Sequence, residues 1–443
     1  MLSTNTVVLG AGWAGLLVAH NLREQGVNDV TILEKDYIRN GGGLLKSETI
    51  DGFTFDCGGP HLLFSRNSEI LSKITSFLGS NCSRKKRNNF VLFDSQYVPY
   101  PFENGIYMLN TDRRIQFVKE IIDRMLYMTK RQDWIPANFL EWINIFFGEH
   151  MSKEYLIPYN KKIWKRPLEK MAADWVFSPG RLPFPNLDDL LKAAAGIKNV
   201  GYKEQAYFYY PKKGGIQSLH KALYEKVANQ GTTRIIENEK VLNLKNNENK
   251  YFIINNKIVA KRVVSTIPLP ETLVALDDSP ESKQLSEQFD WNGVIVVGVA
   301  VRGKGPNQTS IYVPDPKIVF HRYTWMSSLI PPADRQNSNL IAEITFPKNK
   351  PPPKVEEING RVIKDLANIG ALRDENDVIF SKVWINQYGY PIYSLNHNKI
   401  RDNAFERLRD LGIESVGRWG SWHYWNTDMV YDAVLKLTKK ELI

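Results

Sequence analysis

The glycine-rich turn near the start of the chain constrains the fold most. Apolar residues 6–9 lead into Gly10-Ala11-Gly12-Trp13-Ala14-Gly15, and a second apolar run, 30–33, ends at Glu34. In a strand–turn–helix–strand unit, the first glycine allows the tight turn, the second lets a pyrophosphate approach the backbone, and the third lets the helix pack closely. Glu34 is placed to accept hydrogen bonds from ribose hydroxyls. Gly10, Gly12, Gly15 and Glu34 therefore predict a dinucleotide site, the alternative being glycines that serve only a turn.

Length and composition indicate a globular chain of two or three domains. The chain has 443 residues, of which 43% are hydrophobic, enough to bury several cores. Two cysteines, Cys57 and Cys82, provide neither a disulfide framework nor a metal cluster. The longest apolar run, Val294–Val301, is far shorter than the ~20 residues that span a bilayer. Since the glycine motif follows Met1 so closely, we expect no signal peptide and a cytoplasmic protein.

The net charge of +10 suits an acidic ligand without identifying one. The sharpest basic cluster, Arg84-Lys85-Lys86-Arg87, has Asn and Ser neighbours and precedes a predicted strand at Phe90–Phe93. This context favours a solvated loop over a nucleic-acid patch. No recognisable nucleic-acid-binding module accompanies the cluster, so we predict no nucleic-acid partner.

Hydrophobic periodicity divides the rest of the chain. Apolar residues three and four apart predict mostly helix over 110–200, and the pattern changes to strands near Tyr207–Tyr210. Further strands are predicted within Val241–Val264, Val294–Val301, Ser310–Val313 and Leu340–Phe346, followed by a last helix from Asp428. The sequence thus predicts a helical insertion and a separate sheet domain.

Several later motifs carry a family resemblance. They are Gly42-Gly43-Leu44, Gly59-Pro60-His61, Tyr97–Asn104, Pro158–Trp164, Tyr312–Asp315, Phe320–Arg322, Gly389–Pro391 and Gly417–Tyr424. In this order they resemble the UDP-galactopyranose mutases, flavoproteins of the amine-oxidase and protoporphyrinogen-oxidase group. The resemblance covers nearly the whole chain and implies FAD, active in its reduced form. No second glycine fingerprint offers a site for a nicotinamide dinucleotide.

The resemblance implies an α/β fold with three parts. A discontinuous Rossmann-like FAD-binding domain comprises residues 1–65, 205–265 and 400–443. A helical domain at 105–204 binds uridine, and an antiparallel sheet domain comprises 66–104 and 266–399.

The resemblance also implies the site residues. Arg181 and Arg322 would hold the diphosphate, since the guanidinium fork grips two oxygens, and His61 would contact the flavin. Substrate residues implied are Tyr159, Asn160, Trp164, Gln205, Tyr312, Tyr390, Tyr424 and Asn104. Cofactor residues implied are Gly42, Gly43, Leu44, Gly59, Pro60, His61, Arg418, Asn426 and Asp428, besides the glycine turn. The alternatives are surface ion pairs for the arginines and core packing for the aromatic residues. No metal is predicted, because no ligand cluster has suitable spacing.

The activity implied is interconversion of UDP-galactopyranose and UDP-galactofuranose, by attack of the reduced flavin N5 on the anomeric carbon. Gln205, Leu329, Ser310 and Asn426 depart from the family pattern around the sugar and flavin. Another UDP- or dTDP-sugar, such as an arabinose or fucose derivative, therefore stays open. The runner-up is an amine or porphyrinogen oxidase, and a third reading is a catalytically silent flavin-binding protein. We expect an external reductant, NAD(P)H or a flavin reductase, and a homo-oligomer.

Overall fold

The computed structural model describes residues 1–129, 135–177, 186–198, 206–229, 231–247, 250–276 and 279–439. Arg181 and Gln205, both predicted site residues, lie outside these ranges. The strands are β1 (Leu2–Leu9), β2 (Val30–Leu33), β3 (Ser47–Ile50), β4 (Phe53–Asp56), β5 (Cys82–Lys86), β6 (Phe90–Phe93), β7 (Gln96–Pro99), β8 (Tyr207–Pro211), β9 (Thr233–Ile236), β10 (Leu244–Asn247), β11 (Tyr251–Ile254), β12 (Ile258–Ser265), β13 (Trp291–Val301), β14 (Ser310–Tyr312), β15 (Arg322–Trp325), β16 (Ser338–Pro347), β17 (Val378–Pro391) and β18 (Ile413–Ser415).

The first helix begins within the glycine turn, at Trp13. The helices are α1 (Trp13–Glu24), α2 (Ser68–Ser76), α3 (Phe102–Gly105), α4 (Thr111–Thr129), α5 (Phe139–Phe147), α6 (Glu149–Met151), α7 (Ile157–Trp164), α8 (Leu187–Ala194), α9 (Gln217–Ala228), α10 (Leu269–Ala275), α11 (Pro280–Glu287), α12 (Met326–Leu329), α13 (Val355–Asn368), α14 (His397–Asp410) and α15 (Thr427–Lys439). A π-helical segment, Ser152–Leu156, joins α6 to α7. No helix in the described ranges is both long and apolar enough to cross a bilayer.

The first sheet, here the parallel sheet, is assembled from distant parts of the chain. Its order is β10-β11-β12-β1-β2-β9, with β18 beside the end of β12. Strands β12, β1, β2 and β9 run parallel, and β10 and β11 add an antiparallel edge. Val8 packs in one core, whereas Val7 and Leu9 pack in another. Successive strand residues point to opposite faces, so both faces of this sheet are covered, as parallel sheets require.

The second sheet, here the antiparallel sheet, supplies one wall of the site described below. Its order is β17-β13-β16-β15-β14-β6-β7, and only the β14–β6 pair is parallel. Ile295, Val297 and Val299 share a core with residues of α13, while Val294 and Val296 join the main core on the other face. The same alternation places Tyr312, Arg322 and Glu343 on the face of Val294.

The basic cluster at Arg84–Arg87 corrects one expectation. It does not form a solvated loop: its first three residues lie in β5, which pairs antiparallel with β8. The Arg84 guanidinium lies 3.9 Å from the centre of the Tyr207 ring, and Lys85 Nζ donates to the Ser328 carbonyl at 3.3 Å. The pairing partner is more than 120 residues away in sequence, so local composition carries no sign of it. This pair also joins segments that we expected in two different domains.

Candidate active site

A cavity lies between α7, the antiparallel sheet and the loops that follow β4 and β18. The predicted site residues that line it are Leu44, Gly59, Pro60, His61, Tyr159, Asn160, Trp164, Tyr312, Arg322, Tyr390, Arg418, Tyr424 and Asn426. A second, adjoining cavity is lined by Gly12, Gly42 and Gly43 and shares Leu44, His61, Arg418 and Asn426 with the first. The fold thus brings together most of the predicted residues that the structure describes.

The glycine turn forms an open cradle beside the second cavity. Gly10 has a φ of +95°, which favours glycine, and a Cβ on Gly15 would lie 1.9 Å from the Gly10 carbonyl oxygen. Gly12 and Gly43 differ, because a Cβ on Gly12 would approach only the Gly43 nitrogen at 3.9 Å, and one on Gly43 would meet nothing within 4 Å. Gly12 caps α1 without a side-chain hydrogen bond, so the helix N-terminus can receive a phosphate.

Glu34 is hydrogen-bonded to the backbone of this cradle. Its side chain is buried at the end of β2, where one carboxylate oxygen accepts from the Ala11 amide at 2.8 Å and the other from the Asp36 amide at 3.1 Å. A carboxylate oxygen has more than one lone pair, so these bonds orient the group and leave capacity for a further donor.

Besides Gly10, Gly15 and Glu34 of the cradle, two described residues among those predicted line neither cavity. Asn104 is buried in α3, and its Oδ1 has no hydrogen-bond partner. Asp428 lies in the first turn of α15, where its Oδ1 is likewise buried and without a partner.

Arg322 and Glu343 form an ion pair in the wall of the main cavity. They are directly opposite each other on β15 and β16. Arg322 Nε donates to Glu343 Oε2 at 2.6 Å and Nη2 donates to Oε1 at 2.8 Å, while the glutamate side chain is only 2% exposed. Burial alone would lower the pKa of Arg322, but the carboxylate holds that pKa well above its ordinary value. The two-point fork is therefore occupied by Glu343, and Nη1 is the nitrogen left to donate to a ligand.

Tyrosine hydroxyls without partners surround the same cavity. Tyr100, Tyr155, Tyr159, Tyr312 and Tyr390 line it, and none of their hydroxyls bonds to another residue in the described ranges. The Tyr100 and Tyr312 rings stack at 4.6 Å, and Tyr159 meets Tyr312 edge-on at 5.8 Å. Burial raises the pKa of Tyr155 and Tyr159 well above the ordinary value. The hydroxyls of Tyr155 and Tyr159 therefore stay neutral and can donate hydrogen bonds.

The inner face of α7 forms the opposite wall. Trp164 is 2% exposed, and its indole Nε1 donates to Asn160 Oδ1 at 3.0 Å. Asn160 in turn donates to the Leu156 carbonyl at 2.8 Å. The Trp164 ring is packed edge-on against neighbouring aromatic rings. Trp164 thus belongs largely to the core, whereas Tyr159 is only partly buried. The π-helical turn before α7 is a feature frequently found at functional sites.

His61 and Arg418 lie where the two cavities meet. Burial, with Arg418 and Arg322 nearby, lowers the pKa of His61 to about 3, and its Nε2 has no hydrogen-bond partner. Arg418 donates to the Trp425 carbonyl at 3.1 Å and to the Gly389 carbonyl at 2.7 Å. Its guanidinium also lies 4.5 Å from the centre of the Tyr424 ring. A neutral imidazole and a fixed cation therefore face the boundary between the cavities.

Among the polar wall residues that the sequence analysis missed are Arg87, Tyr100, Tyr155 and Glu343. Arg87 follows β5, and its guanidinium lies 5.1 Å from the centre of the Phe64 ring. Burial lowers the pKa of Arg87. The signal for Arg87 was present in the basic cluster, but the loop assignment hid it. Glu343 had a weaker signal, as a lone carboxylate inside an apolar strand. Among the described residues, no group of three or more His, Cys, Asp and Glu side chains could hold a metal ion.

Comparison with known proteins gives the fold and the family. A solved structure of reduced UDP-galactopyranose mutase superposes with a TM-score of 0.85 at 23% identity, covering 99% of this chain and 95% of that one. Wild-type putrescine oxidase bound to putrescine superposes with a TM-score of 0.63 at 14% identity, covering 100% and 99%. An uncharacterised protein in the nifH2 3′ region of Methanothermococcus thermolithotrophicus is 36% identical over 107 residues, which are 24% of this chain and 84% of that protein.

The family model for flavin containing amine oxidoreductases matches residues 13–429. The open glycine cradle, the uncapped start of α1 and the unpartnered His61 nitrogen fit a flavin dinucleotide, and FAD is the cofactor. Because the match extends over nearly the whole chain, this protein belongs to the flavin-containing amine oxidoreductase family.

Proposed function

We propose that the protein is an FAD-dependent sugar-nucleotide mutase that interconverts UDP-galactopyranose and UDP-galactofuranose, or a closely related nucleotide sugar. One observation carries the proposal. The cavity beside the glycine cradle combines arginine side chains with five unpartnered tyrosine hydroxyls, a lining suited to a diphosphate and a sugar. The solved mutase with the same fold supports this choice.

The cradle residues would hold the cofactor. The amides at the start of α1 would face the pyrophosphate, and Glu34 would accept from the ribose. Gly42, Gly43, Leu44 and the Gly59–His61 loop would lie along the flavin ring. When bound and reduced, the flavin supplies a nucleophilic nitrogen, N5, for the anomeric carbon of the sugar. The sheet built from residues 2–33, 233–265 and 413–415 would then be the discontinuous Rossmann-like FAD domain.

Two arginines would stabilise the departing diphosphate. The ion pair with Glu343 fixes the plane of the Arg322 guanidinium, leaving Nη1 to donate toward the cavity. Arg87 adds a second cation in the same wall. Fixed donors aimed at a developing negative charge lower the barrier to its departure more than mobile water does. The hydroxyls of Tyr312 and Tyr390 would donate to the remaining phosphate and sugar oxygens.

Tyr159 is better placed than Trp164 to stack on the uracil ring. Tyr159 is partly buried beside Tyr155 at 6.1 Å, with near-parallel rings, whereas Trp164 is almost fully enclosed by other aromatic residues. We therefore assign the base-stacking role to Tyr159, with Trp164 supporting Asn160 from behind.

An amine oxidase is the second candidate, favoured by the family and by the putrescine oxidase fold. The charge of the cavity argues against it. The charged residues in its lining are Arg87, Arg322, Arg418 and Glu343, and the glutamate is already paired with Arg322. The resulting positive potential repels an ammonium substrate and attracts a diphosphate.

The test is conversion of UDP-galactofuranose to UDP-galactopyranose, with and without dithionite. Turnover only after reduction supports the mutase. An external reductant, NAD(P)H or a flavin reductase, would keep the cofactor in that state. No turnover of any UDP- or dTDP-sugar in the reduced state, together with oxidation of an amine or porphyrinogen, would refute the proposal.

Tyr312→Phe sharpens this test. Loss of one hydroxyl that donates to a charged phosphate should lower kcat/KM by roughly 10- to 100-fold. Tyr97→Phe is the matched control, since the Tyr97 hydroxyl pairs with Tyr323 at 3.2 Å outside the cavity. Equal losses in both variants would show that Tyr312 has no specific role.

A further inference from the structure

A basic groove lies on the outer face of the helix that forms the cavity wall. It is bounded by α7 and its π-helical lead-in, by residues 316–319, and by the start of α13. Its volume is about 820 Å³, within the range of ~300–1,000 Å³ typical of small-molecule sites. Its cationic residues are Lys153, Lys161, Lys162, Lys165, Lys317 and Arg361.

Different residues of α7 and its lead-in line the groove and the main cavity. Ile157 and Lys161 lie one turn apart on one side of α7, with Lys153 in the π-helical lead-in and Lys165 directly after the last turn. The residues of the main cavity, among them Tyr159 and Asn160, lie on the other side. No residue lines both spaces.

Four lysines of the groove have no ion-pair partner in the part of the chain that the structure describes. Lys153, Lys161, Lys165 and Lys317 form no ion pair with any residue in the described ranges. Arg361 bonds to Asp365 at 3.0 Å, and Glu357 is the acidic residue in the lining. Like charges held close together repel each other. An anion in the groove would remove this repulsion.

The walls of the groove are held in place by a buried lysine. Lys162 Nζ donates to the Val313 carbonyl at 2.8 Å and to the Asp315 carbonyl at 2.6 Å. These bonds tie α7 to the segment that carries Lys317. Burial lowers the pKa of Lys162 to about 7. Lysines from the helix and from the loop thus converge on one preformed space.

The floor of the groove is apolar. Ile157, Pro158, Ile318 and Ile358 contribute to its lining. A ligand that matches both features carries several negative charges at one end and an apolar or ring group at the other.

We propose that this groove is a second ligand site, distinct from the main cavity, which binds a small, multiply phosphorylated molecule of the nucleotide class. The phosphates would lie among Lys161, Lys165 and Lys317, and the ring group against Ile318 and Ile358. Since the other side of α7 lines the main cavity, the two sites share one structural element.

The test is equilibrium binding of ATP and of inorganic triphosphate to the flavin-loaded protein by calorimetry. We compare wild type, Lys161→Glu/Lys165→Glu and Lys261→Glu/Lys399→Glu; the last two lysines are exposed and lie outside the groove. We expect saturable binding that the groove variant weakens by about tenfold or more and that the control leaves within about twofold. Tighter binding of ATP than of triphosphate would support the apolar contact.

Three results would overturn the proposal. They are the absence of saturable binding to wild type, unchanged affinity in the groove variant, and equal losses in the groove and control variants. Melting temperature and flavin content verify that each variant is folded. If the groove pair does not fold, Lys317→Glu, a single change on an exposed loop residue, replaces it with the same expected direction.

Discussion

Removing Arg322 while keeping Glu343 tests how strongly the cavity wall depends on their ion pair. Arg322→Met leaves a carboxylate whose side chain is 2% exposed without its cation. Breaking a buried pair from one side typically costs 3–5 kcal/mol, because the remaining charge is uncompensated. With ~2.1 cal/mol/K of unfolding entropy per residue, a chain of 443 residues should lose about 3–5 °C in melting temperature.

A double-mutant cycle separates the charge from the packing. Glu343→Gln in the Arg322→Met background removes the unpaired charge, so the double variant should recover most of the lost stability. The destabilisation of Arg322→Met should also shrink at lower pH, because a desolvated carboxylate without a cation takes up a proton more readily. Circular dichroism melts of the flavin-loaded proteins at pH 6 and pH 8 measure both effects.

The matched control is Arg373→Met. Arg373 pairs with Asp377 at 3.2 Å, but its side chain is 82% exposed, so this change should cost at most about 0.5 kcal/mol. A similar small loss for Arg322→Met, or additive losses in the double variant, would refute the reasoning. The pair would then be solvated and energetically unimportant.

Three further predictions follow from buried groups and close contacts. Burial raises the pKa of Asp56 to about 6 from 3.8, so the folded state binds more protons in that interval; wild-type stability should fall by about 2 kcal/mol as pH rises from 4 to 6, and urea unfolding of Asp56→Asn should lack this slope. Lys162 has its pKa lowered to about 7, so the unfolded state binds more protons above pH 7; stability should rise from pH 7 to 9 in wild type but not in Lys162→Met. Gly15→Ala would place a methyl group 1.9 Å from the Gly10 carbonyl and should lower flavin content, measured by visible absorbance, whereas Gly360→Ala, which meets nothing within 4 Å, should retain it.

A structural feature could be predicted from the sequence when the residues that cause it lie close together in the chain. The glycine turn was predictable, because the steric demands of Gly10 and Gly15 arise within six residues. The basic cluster at Arg84 was misassigned, since its strand forms only against Tyr209, far along the chain. Glu343 was not found, because its importance depends on the cross-strand register with Arg322. Family resemblance, in contrast, predicted Tyr312 and Arg322 as site residues without any knowledge of register, and both line the main cavity.

The last turn of α7 is held by side chains from the antiparallel sheet. Asn292 of β13 donates to the Ile163 and Trp164 carbonyls at 3.0 and 2.7 Å, and Thr345 of β16 donates to the Ile163 carbonyl at 2.8 Å. Unfolding this turn would leave these buried polar groups without partners. The helix end and the two strands should therefore open as one cooperative unit, and their amides should exchange with deuterium at a common rate. The cavity wall formed by α7 would then be as stable as the central strands of the sheet.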